Sequence, residues 1–283
     1  MTRYNLHTHS VYSRHGEGEI LDYVNEAERI GLHILGFTEH CPYPDDGYSI
    51  DNGRMWFKTL PTYVSKVQEA KERNGNLSVF LGWECDWIRG REEWIREVRE
   101  KSDYLIFGLH YLEDKGGEVY TPFHSDRWDR KRALKLYGER YVSAVESGLF
   151  LFSAHPDLFM NMSDEFGEEE KALSRDIIAI AKEKNMVMEV NGSGIMKAKQ
   201  RGLKESRYPR REFWEMAKDA GLYCIVSADA HDPGTMGERL ELAQAFASSI
   251  DLSMVEPGVE NGKLVLRKDR EKQRSFSRRF LDG

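Results

Sequence analysis

The sequence predicts an α/β protein built on a parallel sheet that closes, or nearly closes, into a barrel. Short apolar runs alternate with longer amphipathic stretches seven times along the chain, and such alternation is typical of parallel strands joined by helices. The 283 residues show neither an internal repeat nor a linker, and roughly 250 residues suffice for one (β/α) barrel. We therefore predict a single domain over residues 1–283.

Each strand is predicted from a short apolar run, and each helix from apolar residues spaced three and four apart. The predicted strands cover 3–6, 34–40, 77–87, 104–112, 149–155, 186–194 and 222–231. The predicted helices cover 19–32, 56–75, 91–101, 127–148, 168–185, 210–221 and 237–250. Gly31 and an Asn-Gly pair at 74–75 mark two helix ends. The barrel core then spans 3–250, and a C-terminal helix or tail is expected over 251–283.

An open, doubly wound sheet is the alternative fold. That fold normally carries a glycine-rich phosphate loop after its first strand. Here the first strand is followed by HTHSVYSRHGEGE at 7–19, which is not such a loop. The barrel is therefore the favoured prediction.

Composition limits the partners that the chain can have. Its 41 basic and 48 acidic residues give a net charge of −7, whereas nucleic-acid-binding domains are usually basic. Its three cysteines form no CxxC pair, which favours a reducing compartment. No signal-peptide core or membrane-length apolar run is present. We expect a cytoplasmic protein that binds neither membrane nor nucleic acid.

Side chains that can bind metals follow the predicted strands. In chain order they are His7, His9 and His15; Glu39 and His40; Glu84 and Asp86; His110; His155 and Asp157; Glu189 and Asn191; Asp229 and His231. The carboxyl ends of parallel barrel strands meet at one face, where active sites of this architecture lie. Seven of the nine histidines are therefore expected there, while His33 and His124 do not fit the pattern.

This clustering of imidazoles favours a metal site. His7 and His9 point the same way in an extended segment, and neutral imidazole is a good ligand for Zn, Mn or Fe. Taken singly, His110 or His155 could be a core residue and Asp229 a helix cap. The joint pattern favours ligation over those alternatives.

Other residues near the strand ends are better explained by packing. This applies to His33, Asp86 and Asp157. Cys41 and Cys85 adjoin His40 and Glu84, but neighbouring strand residues face opposite sides. We expect both thiols to be inert.

Taken together, the motifs resemble the PHP (polymerase and histidinol phosphatase) superfamily. The matching stretches are HTH at 7–9, TEH at 38–40, Glu84, His110, AHPD at 154–157 and SADAH at 227–231. The most similar subtype is the PHP-type histidinol-phosphate phosphatase, to which His15 and TEHCPYPDD after the second strand also correspond.

The resemblance implies a distorted (β/α)7 barrel with three divalent metal ions, Zn, Mn or Fe, at the C-terminal ends of the strands. It implies one ion held by His7, His9, Glu84 and Asp229. It implies a second held by Glu84, His110 and His155, and a third held by His15, His40 and His231.

The resemblance also implies a reaction, the hydrolysis of L-histidinol phosphate, a small phosphate ester, by a hydroxide that bridges two metals. The candidate catalytic residues are His231, Asp229 and Asp157. The proton for the leaving group could come from a metal-bound water, His231 or Asp157.

Substrate binding is where the sequence departs from that subtype. The subtype carries an arginine after the sixth strand, and this chain has Met196 there, followed by Lys197. Lys197, Arg201 and Arg207 are the candidate phosphate ligands, and Glu113 is a candidate partner for the substrate amine.

Three alternative functions remain open at this stage. The chain could be a related phosphoesterase acting on another small ester or a nucleotide. It could be a non-catalytic metal-binding PHP module, or an amidohydrolase-like barrel, which also uses an HxH pair.

Overall fold

The computed structural model describes residues 2–48, 53–73, 75–123 and 129–268. In its first half the elements are β1 (Tyr4–Asn5), α1 (Ile20–Arg29), β2 (Ile34–Phe37), α2 (Leu60–Lys71), β3 (Ser78–Cys85), α3 (Glu92–Glu100), β4 (Tyr104–Phe107), β5 (Leu112–Glu113) and β6 (Val119–Tyr120). The second half contains α4 (Arg130–Glu146), β7 (Phe152–Ser153), α5 (Glu168–Glu183), β8 (Val187–Asn191), α6 (Gly192–Gln200), α7 (Arg211–Asp219), β9 (Tyr223–Ser227), α8 (Met236–Ser249), β10 (Ser253–Glu260) and β11 (Lys263–Lys268).

The central sheet is mostly parallel, which confirms the predicted α/β class. Its order within the described part of the chain is β1-β2-β3-β4-β7-β8-β9-β10-β11, and only the last pair is antiparallel. The seven predicted strands correspond to β1, β2, β3, β4, β7, β8 and β9. Every residue of β2, β4 and β8 is buried, as expected for strands covered on both faces.

Helix α1 shows how local sequence sets these elements. Ile20, Tyr23, Val24 and Ala27 form its buried face, at the spacing of one helical stripe. The Asp22 carboxylate accepts from the backbone N–H of Glu19 and so caps the start. Such amphipathic helices cover the outside of the sheet, and the core lies between the two.

The two edges of the parallel sheet meet at the carboxyl ends of its strands. Thr8, after β1, pairs in parallel with Ala230, after β9, and the N–H of His9 donates to the carbonyl oxygen of Ala230 at 2.8 Å. At the other end, β10 pairs with the start of β9 through Ser253 and Met254. The segments that follow β1 and β9 therefore touch at the carboxyl ends of the strands.

Three segments differ from the sequence-based prediction. Strands β10 and β11 form a hairpin in place of the expected C-terminal helix or tail, because Val255 packs into the core; residues 269–283 lie outside the described part. Helix α6 begins at Gly192, inside the strand predicted over 186–194. A small hairpin, β5–β6, follows β4.

Within the described ranges, no helix is both long and apolar enough to cross a membrane.

Candidate metal centre

Four ligand atoms converge after β1, β3 and β9. The Nε2 atoms of His7 and His9 lie 3.0 Å apart. Glu84 Oε2 lies 3.4 Å from the first and 3.3 Å from the second. Asp229 Oδ1 lies 3.6 Å and 3.4 Å from the same two nitrogens. The four atoms therefore surround one point, and all four residues are buried.

The second oxygen of Glu84 faces two further histidines. Its Oε1 lies 2.9 Å from His155 Nε2 and 3.5 Å from His110 Nε2. Gly108 makes this approach possible, since a Cβ there would lie 2.2 Å from Glu84 Oε1. Glu84 thus joins two groups of ligand atoms with one carboxylate.

The remaining three histidines form a third group toward solvent. The Nε2 atoms of His15 and His231 lie 2.9 Å apart, and the rings of His15 and His40 stack at 5.4 Å. The ring of His9 stacks on both His40 and His231, at 4.4 Å each. His40 Nδ1 also lies 2.9 Å from Glu84 Oε2, so the third group adjoins the first.

These atoms fit a divalent cation. Glu189 lies 2.7 Å from His7 Nδ1, so that nitrogen carries the proton and Nε2 presents a lone pair to the point shared with two carboxylates. Glu84 Oε2 is buried without a hydrogen-bond donor among the described residues. A cation at this point satisfies converging lone pairs that would otherwise repel one another. Imidazole nitrogens with carboxylate oxygens are the donors that Zn, Mn and Fe accept.

The electrostatics keep both carboxylates ionised. Burial alone would raise the pKa of Glu84, but the neighbouring imidazoles of His110, His7 and His40 outweigh burial and hold that pKa well below its usual range. Burial is likewise outweighed at Asp229, whose pKa is lowered by His7 and His9. The centre therefore presents two negative charges to a cation.

Two ligands sit on strained backbone. His155 has φ +30° and Asp229 has φ +48°, in the left-handed region that non-glycine residues avoid. Such residues cost roughly 1–3 kcal/mol each and cluster at functional sites. The fold maintains this strain at the point where the ligands converge.

A second layer of carboxylates orients the ligands. Besides His7, Glu189 accepts from the N–H of His155 at 2.9 Å and from Asn191 Nδ2 at 2.9 Å. Glu39 accepts from both the N–H and the hydroxyl of Ser10. Both acids were noted at strand ends in the sequence, but their role as ligand supports required the structure.

The ligand groups lie at the floor of a cavity of about 510 Å³. Among the predicted substrate ligands only Lys197 lines it, with its Nζ 3.3 Å from the hydroxyl of Tyr208. The walls contain residues that the sequence-based prediction did not single out: Arg54, Tyr111, Phe123, Ser193, Tyr208 and Arg239. No spacing signal marks them, because each comes from a different loop or helix.

The other three predicted substrate residues lie outside the cavity lining. Arg207 donates to the carbonyl oxygen of Asn161 and pairs with Asp164 at 3.0 Å. Arg201 is exposed at the end of α6. Glu113 accepts from the hydroxyl of Tyr48 at 2.7 Å. Arg207 and Glu113 therefore bind neighbouring groups of the protein outside the cavity lining.

Asp157, a predicted catalytic residue, is also absent from the cavity lining. It is 1% exposed, and its Oδ2 accepts from the N–H of Arg210 at 2.5 Å and from Trp214 Nε1 at 3.1 Å. Burial raises its pKa to about 7. These contacts fasten the segment that carries Tyr208 to the end of β7.

Of the residues assigned to packing, Asp86 differs from that prediction, because its Oδ2 lies 3.4 Å from Nδ1 of the candidate ligand His110; the others lie apart from the ligand cluster. His33 lines a separate cavity at the other end of the sheet, beside Arg3 and Glu256. Cys41 and Cys85 are buried free thiols. His124 lies outside the described residues.

Comparison with known proteins identifies relatives along most of the chain. A family model described as the PHP domain matches residues 5–193, more than half of the sequence. A protein named probable histidinol-phosphatase from Deinococcus radiodurans is 27% identical over 241 residues, covering 82% of this chain and 88% of that protein. A protein of the same name from Schizosaccharomyces pombe is 24% identical over 288 residues, covering 92% of each.

A solved structure has the same fold. It is the histidinol phosphate phosphatase of Lactococcus lactis in complex with zinc, L-histidinol and phosphate. The TM-score is 0.70 at 17% sequence identity, and the match covers 93% of this chain and 99% of that one.

Proposed function

This chain belongs to the PHP domain family, and from that premise we propose that it hydrolyses L-histidinol phosphate to L-histidinol and phosphate with the help of divalent metals. The observation that carries the proposal is the convergence of seven histidines, Glu84 and Asp229 around the floor of one cavity. Two relatives that bear the name histidinol-phosphatase support the substrate. So does the shared fold of the enzyme that binds histidinol and phosphate.

The proposed centre holds three ions, Zn, Mn or Fe. The first would be held by His7, His9, Glu84 and Asp229; the second by Glu84, His110 and His155; the third by His15, His40 and His231. When bound, such ions supply a nucleophilic hydroxide at neutral pH and charge stabilisation for the phosphoryl group. This division is the one that the resemblance implies; what the geometry supports is that ligand atoms of His7, His9, His40, Glu84 and His110 lie close enough together to hold metal.

Side chains of the cavity wall are proposed to bind the substrate and to limit access of water. The Lys197 ammonium is a fixed positive charge beside the ligand cluster and is placed to pair with a phosphate oxygen. His231 is partly exposed in the cavity, where it would help to hold the third ion close to the leaving oxygen. The backbone carbonyl oxygen of Asp229, 3.1 Å from His231 Nδ1, orients that ring. Tyr111 and Phe123 enclose the substrate and reduce access of water.

The same proposal includes the architecture. Parallel pairing of Thr8 with Ala230 supports a distorted (β/α)7 barrel in which β9 returns to β1. The single domain over 1–283 is part of this proposal. A cytoplasmic location and the lack of a nucleic-acid partner stay predictions from the composition.

Phosphate release tests the function. The protein, purified with Mn or Zn, is assayed on L-histidinol phosphate, sugar phosphates, nucleotides and p-nitrophenyl phosphate. We expect kcat/KM for histidinol phosphate of at least ~10⁴ M⁻¹s⁻¹, well above the other esters. Equal rates on p-nitrophenyl phosphate would refute the substrate and leave a general phosphoesterase. No release from any ester by metal-loaded protein would favour the non-catalytic module.

A further inference from the structure

One arginine of the loop after β2, Arg54, is buried beside the ligand cluster. Arg54 is 1% exposed and lines the cavity. Its Nη1 donates to the carbonyl oxygen of Cys41 at 2.5 Å, and its Nη2 donates to Asp86 Oδ2 at 2.5 Å. Burying a guanidinium is costly unless it is paired, so this placement requires a partner, and Asp86 is that partner.

Both carboxylate oxygens of Asp86 also contact the segment after β4. Its Oδ1 accepts from the backbone N–H of His110 at 2.5 Å and from that of Tyr111 at 3.1 Å. Its Oδ2, the atom that Arg54 holds, lies 3.4 Å from His110 Nδ1. One carboxylate thus fixes both the backbone and the ring of His110.

The consequence concerns which nitrogen of His110 carries a proton. A carboxylate facing Nδ1 keeps the proton on that atom and leaves the Nε2 lone pair directed at Glu84 Oε1, 3.5 Å away. Without the guanidinium, Asp86 Oδ2 would lose its strongest donor and could turn away from the ring. His110 would then lose both its orientation and its preferred tautomer.

We propose that Arg54 is a positioning residue, which acts through Asp86 to hold His110 in the geometry that binds metal. The inference rests on the metal centre of the proposed function but not on its substrate. Outer partners of this kind typically change metal affinity by about 10–100-fold when removed. Arg54 thereby couples the loop after β2 to the metal centre.

Metal affinity gives the first test, with no substrate present. Arg54→Met removes the guanidinium, and Arg130→Met is the matched control, because Arg130 pairs with the buried carboxylate of Glu170 far from the cavity. Competition against a chelator of known affinity measures Mn²⁺ binding. We expect the weakest-held ion to bind about 10–100-fold less tightly in Arg54→Met. Wild-type affinity in that variant, or an equal loss in Arg130→Met, would overturn the proposal.

The tautomer of His110 gives a second readout that simple loosening of the fold would not produce. In metal-free wild-type protein, at a pH high enough for His110 to be neutral, long-range ¹H–¹⁵N spectra should show the His110 proton on Nδ1. In Asp86→Asn the side-chain amide can donate to Nδ1, and the proton should move to Nε2. If Arg54→Met does not fold, both the Mn²⁺ affinity and the His110 tautomer are measured on Asp86→Asn instead. An unchanged His110 spectrum in Asp86→Asn would refute the mechanism.

Because neither measurement contains an ester, the outcome separates this proposal from the proposed function. If Arg54→Met binds metal more weakly than wild type, but wild-type protein releases no phosphate from any ester, the role of Arg54 is supported and the proposed activity is refuted. If wild-type protein hydrolyses histidinol phosphate, but Arg54→Met binds metal as tightly as wild type, the proposed activity is supported and the role of Arg54 is refuted.

Discussion

Replacing Glu84 with glutamine should damage the metal centre more than any other single change of similar size. The substitution keeps the shape of the side chain and removes its charge. Oε2 lies within 3.4 Å of ligand atoms of His7, His9 and His40, and Oε1 faces His110 and His155. One substitution therefore alters ligand groups that the structure joins through a single carboxylate.

The size of the effect follows from the buried charge. Removing one partner of a buried ion pair costs about 3–5 kcal/mol, and each ~1.4 kcal/mol is tenfold in affinity. Metal binding should thus weaken by roughly 10²- to 10³-fold. At a free metal concentration of about 1,000 Kd, binding stabilises the fold by about 4 kcal/mol, and a 100-fold weaker site supplies only about 1.4 kcal/mol. For a chain of this size the difference corresponds to roughly 5–10 °C in Tm.

Thermal unfolding with and without Mn²⁺ measures this difference directly. Wild-type protein should gain stability from the metal, and Glu84→Gln should lose most of that gain together with phosphate release. Glu170→Gln is the control: Glu170 is equally buried but pairs with Arg130 and Ser163, away from the cavity. If Glu84→Gln keeps the full metal-dependent gain in Tm, the assignment of Glu84 as the shared ligand is refuted.

Four further outcomes are expected. Lys197→Met should raise KM for the phosphate ester by about 10–100-fold, because a hydrogen bond to a charged group contributes about 1.5–3 kcal/mol, while metal content stays unchanged. Asp157→Asn should leave the pH profile of kcat unaltered, since Asp157 is outside the cavity lining. Burial raises the pKa of Asp157 to about 7 from 3.8, so the contribution of Asp157 to stability should fall as pH rises from 4 through 7; relative to wild type, Asp157→Asn should therefore gain stability over that range. Dialysis against a chelator should abolish phosphate release, and Mn²⁺ or Zn²⁺ should restore it.

The controls for these predictions come from the same chain. Arg207→Ala is matched to Lys197→Met, because Arg207 pairs with Asp164 outside the cavity; an equal rise in KM in both variants would contradict the assignment of Lys197. A shifted kcat profile in Asp157→Asn would return that residue to the catalytic candidates. Phosphate release that survives complete removal of metal would contradict the proposed metal dependence.

The ligand residues could be predicted from the sequence because their positions follow a rule of the fold. In a parallel sheet the carboxyl ends of all strands lie on one side, so residues at those ends share one face. His7, Glu84, His155 and Asp229 needed only correct strand assignments. The same reasoning placed His33 apart, and the structure puts it at the opposite end of the sheet.

The residues of the cavity wall that would contact the substrate could not be predicted in this way. Lys197 faces the cavity because the segment after β8 forms a helix, whereas Arg207, ten residues later, turns to Asn161 and Asp164. Both are basic residues in one polar stretch, and local sequence does not distinguish them. Hydrogen bonds across the chain, such as those of Asp157 to Arg210 and Trp214, decide which side chain reaches the site.

By itself, then, the sequence predicted the α/β class, the parallel strands and the set of candidate metal ligands that the structure brings together, since periodicity and strand ends are local properties. Only the tertiary structure decided how the ligands are supported and what surrounds the substrate. Arg54 and Asp86 are 32 residues apart, and Glu189 reaches His7 across 182 residues. Such pairs form only when distant segments pack together, and no local pattern in the chain encodes them.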